Sequence, residues 1–345
     1  MSKYSIALIP GDGIGTEVID ATMPAFDKLA AKHGIDFEFK HYPFGGDHYL
    51  ATGEVLSNES MTELKKHDAI YLGAVGTPKV KPGILEKGIL LKLRFEFDQY
   101  INLRPVKLYP GVETPIKGKT AEDLDYIVVR ENTGGLYTGV GGGTMVGTEF
   151  EAVSQSMVYT HKQVIRCLRY AFEVAMTRDR KKLCMIGKTN VLTHVFGLWE
   201  RVFDELKEEY PAVETSYMHV DAACMHMVTN PAQFDVMVTT NMFGDIITDL
   251  GAVTQGGMGM AASGNINPEK TAPSMFEPVH GSAPDITGQN KANPLATFMS
   301  AKMMLDFLGE TEAAAELEAA ICTVSEAGFE GLGTKEIGQL VIDKL

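Results

Sequence analysis

Cysteine is scarce and scattered: Cys167, Cys184, Cys224 and Cys322 are the only four in 345 residues, and no C-x-x-C occurs. That excludes a disulfide scaffold and points to free thiols in a reducing compartment. Positive charge is also short. Lys plus Arg number 31 against 45 Asp plus Glu, a formal net charge of −14. There is no basic stripe of the kind that displaces phosphate counterions, so nucleic acid is not an expected partner. Long apolar runs are missing too: nothing approaches the roughly 18 consecutive apolar residues that cross a bilayer. The opening Met1–Pro10 carries a lone Lys and a short apolar stretch, which does not resemble a signal peptide. A membrane partner is therefore not expected, and the cytoplasm is the expected location. Repeats, low-complexity tracts and Pro/Ser-rich linkers are absent as well. A second domain in a chain of this length is then expected as an insertion, not as a bead after a linker.

What is present is an ordinary globular balance, 45% hydrophobic and 22% charged, which excludes a disordered chain. Glycine is plentiful at 35 residues without a G-X-Y period, so it marks tight turns or close backbone approaches. Tyr4–Pro10 reads as a buried strand ended by Gly11-Asp-Gly-Ile-Gly15, and a helical pattern follows through Val18, Ile19, Met23, Phe26 and Leu29. Further strands are expected at Phe37–Phe44, Ala69–Gly73, Ile101–Leu108, Asp125–Arg130, Lys181–Ile186, Thr215–Val220 and Phe234–Thr239. Helices are expected around Met61–His67, from His161, over Val195–Leu206 and through much of the tail from Asn293. Strand and helix alternate, which gives an α/β class with a largely parallel sheet. The Gly11 turn is spaced G-x-G-x-G, not G-x-G-x-x-G as in the dinucleotide fingerprint, so a tight turn is expected there instead of a Rossmann site. Gly139–Gly143 reads as a flexible loop.

Several polar residues stand at element ends. Arg94 ends an apolar helical stretch, Arg104 lies in Asn102-Leu-Arg-Pro105, and Arg130 ends a strand. A guanidinium fork matches a carboxylate, so three such arginines suggest an anion pocket. Asp245 and Asp249 follow a strand at i, i+4 spacing. On a helix they share a face, and two like charges there call for a divalent cation held by oxygen ligands. Ile246, Ile247 and Leu250 flank the pair, which predicts a largely buried helix. His219, Asp221, Cys224 and His226 cluster without a usual zinc spacing, which leaves Asp221, at a helix start, as the candidate. Lys188, in Gly187-Lys-Thr-Asn190, sits at a strand end, where burial would suit it to carry a proton.

Pro10-Gly-Asp-Gly-Ile-Gly15, Leu103-Arg-Pro105, Arg130-Glu-Asn-Thr-Gly-Gly-Leu-Tyr137, Lys188-x-Asn190, Asn241-Met-Phe-Gly-Asp245 and Glu277-Pro-Val-His-Gly-Ser-Ala-Pro-Asp285 together resemble the β-decarboxylating dehydrogenases. That family includes 3-isopropylmalate, isocitrate, homoisocitrate, tartrate and D-malate dehydrogenases. The resemblance implies an isocitrate/isopropylmalate dehydrogenase-like, non-Rossmann α/β fold of two domains. A large domain comes from residues 1–101 and 254–345, and a small one from the inserted residues 102–253. The active site is implied in the cleft between the domains and shared across a homodimer. Arg94, Arg104 and Arg130 are implied on the malate carboxylates. Asp245 and Asp249, with the partner subunit's Asp221, are implied at Mg²⁺ or Mn²⁺, and Asp221 is implied at the substrate as well. Lys188, also from the partner, is implied as proton acceptor, and Tyr137 as proton donor. Glu277, His280, Gly281, Ser282, Ala283, Asp285 and Asn293 are implied at NAD, with Asp285 at the ribose 2′-hydroxyl, where NADP-dependent relatives carry Lys-Tyr. A non-catalytic subunit of the same fold would lose catalytic side chains, and Tyr137, Lys188, Asp221, Asp245 and Asp249 are all present.

The residues before Arg94 bear on the substrate. Isocitrate enzymes place Ser and Asn where this chain has Gly88 and Leu90. A γ-carboxylate beside Leu90 and Leu91 would be desolvated without a partner, whereas an isopropyl group gains about 0.8 kcal/mol per buried methylene-sized unit. The expected small-molecule substrate is therefore 3-isopropylmalate, converted to 4-methyl-2-oxopentanoate and CO₂ in leucine biosynthesis. D-malate or tartrate is the alternative. The segments from Arg94 to Pro105 and from Asn267 to Ser274 resemble that branch, and Glu86 lies one position earlier than the acidic residue expected before the leucines.

Overall fold

The computed structural model describes residues 2–345. The chain divides into two compact units: Met1–Gln99, Lys107–Ala121 and Ala252–Leu345 form the first, and Tyr100–Val106 with Glu122–Gly251 form the second. Residues 107–121, which the family resemblance assigns to the inserted segment, group with the first unit.

The chain begins with β1 (Ser2–Gly11), α1 (Ile14–His33), β2 (Ile35–His41), α2 (Gly46–Thr52), α3 (Asn58–Leu64) and β3 (Ala69–Ala74). A π-helical turn, Glu86–Leu91, then runs straight into α4 (Lys92–Glu96). The inserted segment carries β4 (Ile101–Lys107), β5 (Asp125–Glu131), β6 (Gly141–Thr144), β7 (Ala152–Gln155), α5 (His161–Thr177) and β8 (Lys182–Gly187). It continues with α6 (Thr193–Glu209), β9 (Glu214–His219), α7 (Val220–Thr229), β10 (Val236–Thr239) and α8 (Asn241–Thr254). The first unit resumes with β11 (Ala262–Ile266), β12 (Ser274–Pro278), α9 (Leu295–Leu308), α10 (Thr311–Ala327) and α11 (Thr334–Lys344).

Strands of the first unit stand in the order β2-β1-β3-β12-β11. β1 is parallel to β2 and β3, β12 is parallel to β3, and β11 is antiparallel to β12. The run Ile6–Ile9 of β1 and Ala69–Leu72 of β3 are buried, as expected of strands covered on both faces. β11 and β12 escape a reading of the sequence for the same reason: every residue of both is buried, so no period-2 alternation marks them.

In the second unit the order is β4-β5-β10-β8-β9, with β5, β10, β8 and β9 mutually parallel. α5 opens at a capping box in which Thr160 and Gln163 satisfy each other's backbone N–H groups. Its buried stripe of Val164, Leu168 and Phe172 packs with Phe196, Trp199 and Phe203 of α6, and the Phe172 and Phe203 rings lie 5.3 Å apart. Two registers position the chemistry. Thr239 of β10 pairs with Arg130 of β5, and Gly187 of β8 pairs with His219 of β9.

Several expectations are corrected. The strand expected at Phe37–Phe44 ends at His41, because Tyr42 and Phe44 turn into a core cluster with Leu56 and Met61. α3 stops at Leu64, short of His67. Gly139–Gly143 is not a loose loop: Gly141–Thr144 pairs antiparallel with Ala152–Gln155 in an exposed hairpin. Ile246, placed among the residues burying α8, is 51% exposed, whereas Ile247 is buried. The four cysteines are free, and among the described residues no helix is long and apolar enough to cross a membrane.

Candidate active site

In the second unit, four of the expected residues meet around a fifth, Asp245. Arg130 is the last residue but one of β5, with its side chain 1% exposed. Its Nη1 donates to Asp245 Oδ1 at 2.6 Å, and its Nε and Nη2 both donate to Asn241 Oδ1 at 3.1 and 2.8 Å. Tyr137, on the short 3-10 turn Leu136–Thr138, donates its hydroxyl to Asp245 Oδ2 at 2.8 Å, and its ring lies 5.4 Å from the Arg130 guanidinium. Arg104, from β4, donates Nε to Asn102 Oδ1 at 2.7 Å and Nη1 to the Thr248 hydroxyl at 2.6 Å. It reaches Asp245 at 3.6 Å and Asp249 at 3.8 Å. Each arginine is therefore aimed by a neutral acceptor before it meets a charge. Asp249 is the most exposed of these acids. Partial burial raises its carboxyl above the usual range and Asp245 adds to this, while Arg104 and Arg130 oppose it.

Lys188 and Asp221 form a separate pair in the same unit. The β8–β9 register brings their two strand ends together, and Lys188 Nζ donates to Asp221 Oδ1 at 2.6 Å. That hydrogen bond holds the Asp221 carboxyl below its ordinary value, so Asp221 is ionised near neutral pH. Thr189 hydrogen-bonds Tyr217 and His219 nearby. The His219, Asp221, Cys224 and His226 cluster does not form a zinc site. Among the described residues no group of three His, Cys, Asp or Glu side chains is placed to hold a metal.

The remaining candidates lie in the first unit. Arg94, on α4, donates Nη2 to Glu277 Oε1 at 3.3 Å, and Asn265 donates to the same oxygen at 2.8 Å. Arg94 Nε is buried with no partner, a donor that suits an anionic ligand. Leu90 and Leu91 are half-buried, and Leu90 packs on the core cluster of Ile9, Leu72 and Met275. Gly88 has a packing reason of its own: a Cβ there would lie 2.8 Å from Val55 Cγ1.

The Gly11–Gly15 turn meets the segment after β12. Gly13 has φ 59°, and a Cβ on it would sit 2.0 Å from the Ser282 carbonyl oxygen. The Ile14 N–H donates to that carbonyl at 2.8 Å. His280 bonds the Gly281 carbonyl through Nδ1 at 3.0 Å, which makes Nε2 the lone-pair nitrogen. Burial lowers the pKa of His280 and keeps the ring neutral, and Nε2 has no partner. Asp285 is exposed, Ala283 is half-buried at φ 39°, and Asn293 Oδ1 accepts from the Leu295 N–H at 3.0 Å at the start of α9.

These donor sets fit the groups the resemblance implies. Asp245 and Asp249 offer hard oxygen ligands on one helix face, and a divalent ion would relieve the repulsion between them. The orphaned Nε2 of His280 is an acceptor for a sugar hydroxyl or an amino group, beside a turn too tight for side chains. Sequence reasoning missed Asn102, Asn241, Thr248 and Asn265 as aiming residues. Asn102 had a signal, since i and i+2 on a strand share a face with Arg104. Asn265 had none, as it meets Glu277 across the β11–β12 pair.

Residues 5–342 match the isocitrate/isopropylmalate dehydrogenase family model, and the chain belongs to that family. It is an enzyme, a decarboxylating dehydrogenase with the family's α/β fold. It is 54% identical to a 3-isopropylmalate dehydrogenase of Thermobifida fusca (strain YX), over 97% of this chain and 95% of the relative. It is 49% identical to a 3-isopropylmalate dehydrogenase of Nocardia farcinica (strain IFM 10152), over 97% and 98%. The solved isocitrate dehydrogenase from Methylococcus capsulatus is similar at TM-score 0.89 and 34% identity, covering 100% of this chain and 99% of that one.

Proposed function

We propose that the chain oxidises and decarboxylates 3-isopropylmalate with NAD, releasing CO₂ and 4-methyl-2-oxopentanoate in leucine biosynthesis. The observation that carries this reading is the joint engagement of Asp245 by Arg130 and Tyr137. A carboxylate-gripping cation, a phenol and an oxygen ligand share one hydrogen-bonded set. Half-buried Leu90 and Leu91 favour an apolar γ-substituent, in keeping with the substrate named for the relatives at 54% and 49% identity. The Asn267–Ser274 segment that resembles the D-malate branch has an internal task. Asn267 donates to the Phe97 carbonyl at 2.8 Å, and its N–H bonds the Ser274 hydroxyl at 2.9 Å.

When bound, NAD supplies the hydride acceptor for C2, and Mg²⁺ or Mn²⁺ on Asp245 and Asp249, with the partner subunit's Asp221, supplies a Lewis acid. Arg94, Arg104 and Arg130 hold the substrate carboxylates with charged, pre-aimed donors. Lys188 takes the C2 hydroxyl proton, and ionised Asp221 steadies the resulting ammonium. Tyr137 delivers a proton to the carbon that has lost CO₂, its hydroxyl oriented by Asp245. Glu277, His280–Ala283 and Asn293 line the NAD site, and Asp285 accepts from a ribose hydroxyl while repelling a 2′-phosphate.

The same reading makes the enzyme a cytoplasmic homodimer. The β6–β7 hairpin is a lone two-stranded sheet, which is marginal in water unless something covers it. It exposes Met145, Val146, Phe150 and Val153. The test is NADH formation with NAD or NADP against 3-isopropylmalate, D-malate, tartrate and isocitrate. The expected kcat/KM for 3-isopropylmalate exceeds that for D-malate by about 10- to 200-fold, the worth of a filled apolar pocket. A D-malate or tartrate value equal to it or higher overturns the substrate assignment.

A further inference from the structure

Asn241 opens α8 at the end of β10 and is buried. Its Oδ1 accepts from Nε and Nη2 of Arg130, and its Nδ2 donates to the Gly134 carbonyl at 3.2 Å. Two guanidinium donors on one atom and a carbonyl on the other leave a single orientation for the amide. The Asn241 N–H also donates to the hydroxyl of half-buried Tyr159 at 2.9 Å. Gly134 lies in a turn fastened from the other side by Glu131. The Glu131 carboxylate accepts from the Gly134 N–H at 2.8 Å, the Thr133 N–H at 2.9 Å and the Thr133 hydroxyl at 2.8 Å. Tyr137 follows on the next turn of chain. One amide thus meets the arginine with its oxygen and the segment bearing the phenol with its nitrogen.

We propose that Asn241 is a positioning residue that sets Arg130 and the Tyr137-bearing turn in one geometry, coupling carboxylate grip to proton delivery. The proposal rests on the roles given above to Arg130 and Tyr137. The two ends of the amide differ chemically, so they can be separated. Asn241→Asp keeps an oxygen toward Arg130 but sets an oxygen against the Gly134 carbonyl. Asn241→Ala removes both contacts.

The experiment is steady-state kinetics with 3-isopropylmalate and NAD, together with crystal structures of both variants. Asn241→Asp is expected to hold KM within about threefold and to lower kcat by about 10- to 100-fold, as a displaced proton donor would. Asn241→Ala is expected to lower kcat similarly and also to raise KM by about 10- to 100-fold, the loss of two hydrogen bonds to a charged group. In the Asn241→Asp crystal, Tyr137 should be displaced and Arg130 in place. Unchanged kcat in Asn241→Asp, or a rise in KM alone, overturns the proposal. If Asn241→Ala does not fold, Asn241→Asp decides. If the unmutated protein turns over no 2-hydroxy diacid, the proposed function fails. The Asn241→Asp crystal then decides the Asn241 role, and Tyr137 unmoved overturns it.

Discussion

Asp245 takes a guanidinium on one carboxylate oxygen and a phenol hydroxyl on the other. Such an acid is oriented and half-committed before any ligand arrives. Asp249, one turn along α8, is the looser of the two, with a raised carboxyl and greater exposure. On the proposed chemistry, Lys188 and Tyr137 act at different steps, so their variants should fail differently. Lys188→Met is expected to abolish the hydride step in single-turnover stopped flow, by at least about 10²-fold. Tyr137→Phe is expected to keep a burst of NADH and to slow the later protonation, by about 10²- to 10⁴-fold. Full hydride transfer in Lys188→Met would remove it as the proton acceptor.

At the level of elements, the Glu86–Leu91 π-turn depends on how closely it lies to Val55. Such turns hold one more residue than an α-turn and recur at functional sites. A Cβ at Gly88 would press on the β-branched Val55 at 2.8 Å. Gly88→Ser is therefore expected to destabilise the protein by about 1–3 kcal/mol through overpacking, and Val55→Ala should relieve most of it. Thermal melts of the single and double variants read this, and additive losses would refute it. β1 has its own dependence on pH. His67 is held between the Ser5 hydroxyl at Nδ1, 2.9 Å, and the Tyr42 hydroxyl at Nε2, 2.8 Å. Burial, and then Lys40, push its pKa below the ordinary value. The unfolded chain takes up this proton near pH ~6.5 while the folded chain resists it. The stabilisation is therefore complete above that pH and is lost as pH falls through the lower folded value. Urea melts between neutral and mildly acid pH should show a steeper stability loss in the unmutated protein than in His67→Gln.

For the molecule as a whole, the exposed hairpin is the feature a single chain leaves unexplained. Val146 is 72% and Phe150 68% exposed. On the proposed reading, a second copy of the chain covers these apolar side chains. Val146→Asp with Phe150→Glu is expected to shift sedimentation from dimer toward monomer. Activity should fall with it, because the proposed site borrows Lys188 and Asp221 from a second copy. A fully active monomer would contradict the shared site.

Much of this was legible in the sequence because it depends on local order. Alternating strand and helix marked the parallel strands, and the 3.6-residue stripes of α5 and α6 marked their packing. Arg104, Arg130, Lys188 and Asp245 could be singled out from the motifs around them, although in the fold Arg104 and Arg130 lie within β4 and β5, Lys188 just past β8 and Asp245 one turn into α8. The sequence could not reveal what depends on through-space closeness. Fully buried β11 and β12 carry no alternation, and Asn265 meets Glu277 by a pairing that no spacing announces. Ile246 looked like core from its neighbours, but which helix face turns inward is decided by what packs there. The aiming of Arg130 by Asn241, 111 residues away, likewise exists only once β5 and β10 lie side by side.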